Sequence, residues 1–540
     1  MKLNAESLQN RKAWTERGVS LPAFDYTEMA EKTKAAPVWI HFGAGNIFRG
    51  FIAALGQELL NQGAGDRGII AAETFDYDII DKIYAPYDNL ALLVSLLPDG
   101  STEKKVIASI AEGVKANLSD AGAAARLRAI FRDPGLQMAS FTITEKGYAL
   151  TDMAGAFFPF VKDDLEKGPA HATHATHAMS VVTALLYERY QAGCFPVSMV
   201  SMDNCSHNGE KLQTSVLTVA REWAKRGFVE NAFVAYLEDE RRVAFPWSMI
   251  DKITPRPAEE IARQLKDAGL TDMDAIVTSR NTFIAPFVNA EAPQYLVVED
   301  KFPNGRPALE KAGVYMTDRE TVNNVERMKV TTCLNPLHTA LAVYGCLLGY
   351  TSIAAEMRDP QLGKLVERIG YDEGMPVVVD PGILSPRDFI AEVIRDRLPN
   401  PFIPDAPQRI ACDTSQKVGI RFGETIKSYA ASPLLDASNL TYIPLAIAGW
   451  CRYLLALDDE LRPMELSSDP MLDTLCPLLA GVKVGADFDA HAALRPILSN
   501  AVLFGSDLYA VGLGGKIEGM FRELTAGSGA VRRTLIKYLG

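Results

Sequence analysis

Residues 37–50 read Pro-Val-Trp-Ile-His-Phe-Gly-Ala-Gly-Asn-Ile-Phe-Arg-Gly. A short apolar run ends in glycines. A helix-like apolar stretch follows, Phe51 to Leu60, and then a second apolar run, Gly68 to Glu73. Strand, glycine turn, helix, strand is the order of a βαβ unit. In that setting Gly43 permits a tight turn, and Gly45 lets the backbone approach a pyrophosphate at the helix N-terminus. Ala44, Asn46 and Ile47 belong to the same candidate cofactor loop, and Arg49 offers a positive partner for the phosphates. The usual third glycine position holds Phe48. A GxG after a strand is by itself as often a plain turn; its place inside a βαβ unit favours the cofactor reading. At the end of the second run, Glu73 is placed to accept hydrogen bonds from a ribose, with Asp76 and Asp78 close behind. No arginine lies between Glu73 and Asp81, which points to NAD rather than NADP; the plain alternative is that these acids cap a loop.

Outward from this unit, further strands are expected at Ala91–Leu97, Met138–Thr144, Phe195–Ser201 and Ala275–Thr278. Helical patterns lie between them, such as Ala178–Gln191 and Gly209–Arg226. Strands alternating with helices argue for an α/β fold with a parallel, doubly wound sheet. Past about residue 290 the texture becomes helical: Thr339–Met357, Pro360–Ile369, Asp388–Arg397, Gln416–Ala431 and Pro444–Ala456. The expected organisation is therefore a Rossmann-type domain over 1–290, with 1–35 as a helical lead-in, and a mostly helical domain over 291–540. The total of 540 residues suits two to four domains at about 150 residues each.

Composition narrows the function. Hydrophobic residues make up 48% and charged residues 23%, values of a globular chain rather than a disordered one. A net charge of −12 disfavours nucleic acid as the main partner and leaves room for an anionic small molecule. The seven cysteines form no CxxC pair, so a disulfide framework is not expected and a reducing cytoplasm is. No stretch is apolar and long enough to suggest a membrane span. Either a monomer or a homodimer suits such a chain.

The segment Glu326–His338 (ERMKVTTCLNPLH) concentrates the chemistry. Asn335-Pro336 reads as an N-cap followed by a first-turn proline, opening a helix over Leu337–Leu348. His338 then sits near the positive end of a helix dipole, which favours a neutral imidazole. Lys329 lies among apolar residues, and burial lowers a lysine pKa into the range of a general base. On spacing alone a structural role for all three is the plainer reading. Asn204, after the strand ending at Ser201, could aim an amide at a substrate oxygen or merely complete a turn. His171, His174 and His177 drift off one helix face and have no acid or cysteine among them, so no metal is expected.

Seven segments together resemble the mannitol dehydrogenase family: HFGAGNIFRG (41–50), TITEKGY (142–148), SMDNCSHNG (201–209), MIDKITPRP (249–257), LVVEDKFPNGRPALEKAGV (296–314), ERMKVTTCLNPLHTALA (326–342) and RLPNPFIPDAPQRIACDTSQK (397–417). The resemblance implies a Rossmann-type domain and a helical domain with the active site between them, and metal-independent hydride transfer between NAD and a secondary alcohol or ketone. It implies Lys329 as the general acid/base, Asn204 and Asn335 as hydrogen-bond donors to the developing alkoxide, and His338 as a substrate-orienting group. Glu145 would lie near the cofactor cleft and gate proton or water access. Asp251 would support the substrate shell, with Asp413, Ser415, Gln416 and Lys417 closing the substrate side. Arg387 or Arg409 would pair a substrate carboxylate, which makes the reduction of D-fructuronate to D-mannonate the expected reaction. Polyol 2-dehydrogenation, tagaturonate reduction, an NAD-retaining epimerase and a non-catalytic NAD-binding regulator are the alternatives. One departure stands out: Lys329 to Asn335 spans six residues, where the family pattern has five. Either a bulge absorbs the extra residue or Lys329 is shifted.

Overall fold

Trp39–Phe42, Ile69–Glu73, Met138–Phe141 and Val197–Ser201 are buried at every position. Strands inside a parallel sheet are covered on both faces, so they show no polar alternation. The computed structural model describes residues 1–97, 99–152, 154–169 and 176–540. They form two compact units, Met1–Asn323 and Asn324–Gly540.

In the first unit the main sheet has six strands. In chain order they are β1 (Trp39–Phe42), β2 (Ile69–Glu73), β3 (Ile110–Lys115), β4 (Met138–Phe141), β5 (Val197–Ser201) and β6 (Val243–Ala244). Their spatial order is β3-β2-β1-β4-β5-β6, and every pairing is parallel. This is the doubly wound arrangement, whose order reverses beside β1 and opens a crevice at the carboxyl ends of β1 and β4. Alternate residues of β1 feed two cores: Ile40 and Phe42 on one face, Trp39 with Phe48 and Phe51 on the other. His41, buried within β1, is satisfied by Ser140 Oγ at 2.7 Å and Thr142 Oγ1 at 2.8 Å, and its ring stacks on Phe48. Burial holds its pKa down at about 3, so it is a neutral core group.

Two differences from the sequence reading have plain causes. Ala91–Leu96 does form a strand, but in a separate four-stranded sheet with Val19–Ser20, Thr102–Ile107 and Phe287–Glu291. Its main-sheet place is taken by β3, whose sequence IAEGVK mixes polar and apolar residues and gives little strand signal. Tyr295–Glu299 pairs with Ser248–Asp251 on one side and with Tyr315–Thr317 on the other, so strand-forming chain continues past residue 290 and stays with the first unit.

Among the described residues the second unit contains no strand of more than a single bridge. Its centre is the helix Asn335–Leu348, buried along nearly all its length and packed against Tyr442–Tyr453. Gly449 makes that approach close: a Cβ there would stand 2.6 Å from the ring of Tyr344, whose hydroxyl donates to Leu445 O. The central helix stops at Leu348 because Gly349 turns left-handed (φ 76°), and a separate Ser352-capped turn, Ile353–Glu356, follows. The single long helix expected over 339–357 is therefore two. No helix among the described residues is long and apolar enough to cross a membrane.

Candidate functional site

The glycine turn after β1 has the geometry of a candidate phosphate cradle. Gly43 adopts φ 101°, and a Cβ there would lie 2.2 Å from Thr142 O, so only glycine fits. Around Gly45 the space a side chain would fill is open. The helix that follows leaves its first-turn N–H groups, at Asn46 and Ile47, without helical partners. The close helix–strand contact usually made by a third glycine is made here by Gly50, where a Cβ would meet Val288 Cγ1 at 2.8 Å.

Two expected cofactor contacts are otherwise engaged. Arg49 is fully buried, donating to Ala285 O and Asn46 Oδ1, both at 2.8 Å; it braces the turn from behind rather than meeting phosphates. Burial lowers its pKa to about 10. Glu73 accepts from Ala44 N (2.7 Å), Phe75 N (2.9 Å) and Asp76 N (3.1 Å). Its carboxylate latches the glycine turn to the end of β2, and burial raises its pKa. Asp78 is engaged as well, by Ser279 N and Lys82. Asp76 accepts from Thr278 Oγ1 while its Oδ1 has no partner. Beside it, exposed Phe75 carries the Arg280 guanidinium 5.2 Å from its ring centre. Spacing in the sequence gave no sign of Arg280 here, because a tertiary fold-back brings it in.

At the carboxyl ends of β4 and β5, Asp203 joins two loops. It accepts from Ile143 N and Thr144 N, and from Tyr148 Oη at 2.5 Å. These bonds hold Thr144 at φ 63°, a left-handed backbone that a β-branched residue rarely adopts. Asn208 Nδ2 donates to Ser201 O, Asp203 O and Ser248 Oγ, which fixes the loop bearing exposed Asn204. Asp251 is buried at the end of the strand that starts at Ser248. Glu145, ion-paired to Lys211, lines a cavity of about 680 Å³ with Tyr148, His207 and Thr151.

The second unit gathers Lys329, Asn335 and His338. Lys329 is buried at the head of a π-turn, Lys329–Cys333, closed by Leu334 N donating to Lys329 O at 3.1 Å. An i to i+5 turn holds one residue more than an α-turn, and this is how the extra residue before Asn335 is taken up. Asn335 is the first helical residue rather than the cap; Leu334 occupies the cap position without a side-chain bond, and Pro336 stands in the first turn. The carboxamide is thereby released from capping.

His338 Nε2 is buried without a hydrogen bond, 3.5 Å from Asp405 Oδ2. Burial pushes its pKa down to about 4; Asp405 opposes the shift, and Arg421, Arg409 and Arg397 add to it. The imidazole is neutral at neutral pH, as the sequence predicts. Arg409 is ion-paired to Asp405 with its side chain 64% exposed, and Arg387 is exposed on Pro386–Glu392. Lys417 donates to Cys412 O, and Ser415 holds Asp469. Arg421, which the sequence reading passed over, donates to Thr339 Oγ1 at 2.5 Å.

No group of acids, histidines or cysteines among the described residues could hold a metal ion. His177 caps the helix Ala178–Gly193, while His171 and His174 lie outside the described residues.

Residues 38–311 match the family profile described as the mannitol dehydrogenase Rossmann domain, and residues 321–512 that of the mannitol dehydrogenase C-terminal domain. A D-mannonate oxidoreductase of Thermotoga maritima is 55% identical over 100% of this chain and 99% of its own. A D-mannonate oxidoreductase of Escherichia coli is 27% identical over 91% and 92%. Among solved structures, Pseudomonas fluorescens mannitol 2-dehydrogenase in ternary complex with NAD and D-mannitol aligns with a TM-score of 0.70 at 26% identity, covering 100% of this chain and 99% of that one.

Proposed function

The chain belongs to the mannitol dehydrogenase family, and we propose that it is an NAD-dependent oxidoreductase that reduces D-fructuronate to D-mannonate. The observation that carries the reading is the turn holding a buried lysine, a carboxamide released from capping and a neutral imidazole whose Nε2 makes no hydrogen bond. The 55% identity to a D-mannonate oxidoreductase over the whole chain supports the choice of substrate.

The cradle of Gly43, Ala44, Gly45, Asn46 and Ile47 fits a dinucleotide pyrophosphate. Asp76 Oδ1 is the free acceptor for ribose hydroxyls, and the Phe75–Arg280 face offers the adenine a stacking surface. When bound, NADH supplies the hydride. The chain supplies the rest. Lys329 delivers the proton that turns the reduced ketone oxygen into a hydroxyl, and takes it back in the reverse direction. Asn335 and Asn204 donate hydrogen bonds to the oxygen as its negative charge develops. His338 orients a substrate hydroxyl, and Asp251 supports the substrate shell. All seven cysteines are free, which suits the cytoplasm.

The test is turnover of a panel of uronates and polyols followed by NADH absorbance, with wild type beside Lys329→Ala. Wild type is expected to favour D-fructuronate. The variant should lose about 10³-fold in kcat/KM and keep its affinity for NADH. Full activity in Lys329→Ala removes the lysine from its role. Wild-type inactivity on every uronate removes the substrate.

A further inference from the structure

The helical unit covers a positive charge that it does not neutralise. Arg421 lies in the π-turn Gly419–Gly423, which packs against the π-turn headed by Lys329. Its Nη1 donates to Thr339 Oγ1, and that hydroxyl donates to Asn335 O at 3.0 Å. Among the described residues this is the one hydrogen bond of the five-donor guanidinium, and no carboxylate stands within ion-pair distance of it. The acids of the neighbourhood are engaged elsewhere: Asp405 by Arg409, Asp469 by Ser415. Burial alone lowers the Arg421 pKa, with no opposing acid. Lys417, half-buried one turn before Arg421, is pushed down by burial and by the charge of Arg421, against the opposing charges of Asp413 and Asp469, and it donates to Cys412 O.

A guanidinium that is desolvated without an acid is unfavourable, and a second cation beside it makes it more so. The arrangement becomes favourable when an anion arrives, and the planar fork of an arginine matches a carboxylate with two parallel bonds. We propose that Arg421 binds the carboxylate of the sugar-acid substrate and so selects uronates over uncharged polyols. Arg409 already holds Asp405 and Arg387 is exposed, so neither offers the same combination of cover and unmatched charge. The inference rests on the substrate reading above and assigns that selectivity to one residue.

Arg421→Gln and Arg421→Lys are compared with wild type, each loaded with NADH. D-Mannonate binding, D-mannitol binding, NADH affinity, Tm and kcat/KM on D-fructuronate are measured. Arg421→Gln is expected to bind D-mannonate at least about 30-fold more weakly. NADH and D-mannitol affinities should hold, and Tm should stay level or rise, because an unmatched, half-buried charge has gone. Arg421→Lys, which keeps the charge and loses the fork, should fall between. D-Mannonate affinity unchanged in Arg421→Gln overturns the proposal, as does a loss of Tm and of NADH affinity in parallel with it, since a scaffold role predicts that. A wild type that reduces polyols and no uronate sinks the substrate reading and this inference together. A wild type active on D-fructuronate beside an unimpaired Arg421→Gln sinks the inference alone.

Discussion

Single residues in this chain do work that their neighbours in sequence do not announce. Glu73 is the clearest case: its position after β2 suggests a ribose contact, but three backbone N–H groups occupy its oxygens. Only the folded path of the loop could show that. Glu356 is a second case. It is fully buried, both oxygens lack hydrogen bonds, and it fits against Gly345, where a Cβ would stand 2.0 Å from Oε1. Burial, helped by the charge of Asp359, pushes its pKa up to about 9. The folded state therefore keeps a proton that the unfolded chain releases above about pH 4.5. Raised in the fold, this carboxyl favours folding at low pH, and that contribution is lost as pH climbs from the unfolded value toward 9. Glu356→Gln cannot ionise. Its stability in urea, relative to wild type, is expected to improve by about 3 kcal/mol between pH 5 and pH 7.5. A constant difference across that range would show that Glu356 is ionised in the fold.

At the scale of elements, the parallel strands and the glycine turn were legible because a strand covered on both faces leaves an unbroken apolar run. The π-turns were not legible. Nothing in a hydrophobic period marks a turn that holds one extra residue, yet Phe48–Ile52, Lys329–Cys333 and Gly419–Gly423 each sit beside a candidate site residue. The six-residue step from Lys329 to Asn335 was visible; its absorption by a π-turn needed backbone hydrogen bonds to see. The placing of Gly419–Gly423 depends on close backbone contact. A Cβ on Gly423 would lie 2.0 Å from Phe504 O, and one on Gly419 2.6 Å from Leu503 O. Gly423→Ala must displace the turn that carries Arg421. The variant is expected to lose about 1–3 kcal/mol of stability in denaturant melts and to raise KM for the sugar acid while NADH affinity holds. Normal stability would mean that Phe504 gives way and the turn stays.

At the scale of the whole molecule, the two halves were legible as a change of texture, though strands at Tyr295–Glu299 and Tyr315–Thr317 carry the first unit to Asn323. The proposed roles divide along nearly the same line. The glycine turn, its Glu73 latch and Asp76 belong to the first unit, which also carries Asn204 and Asp251; Lys329, Asn335, His338 and Arg421 belong to the second. Substitutions should therefore sort by unit. Glu73→Gln puts an amide donor among three backbone donors, so at least one N–H loses its acceptor, and a buried unmet donor costs about 1–3 kcal/mol. The glycine turn bears that cost. NADH binding, read by fluorescence titration, should weaken about tenfold or more, while turnover at saturating NADH stays within a few fold of wild type. Lys329→Ala should show the reverse pattern, intact NADH binding with turnover lost. If Glu73→Gln lowered turnover at saturation as much as Lys329→Ala does, its carboxylate would be acting on the chemical step, and cofactor binding and proton transfer would no longer divide between the units.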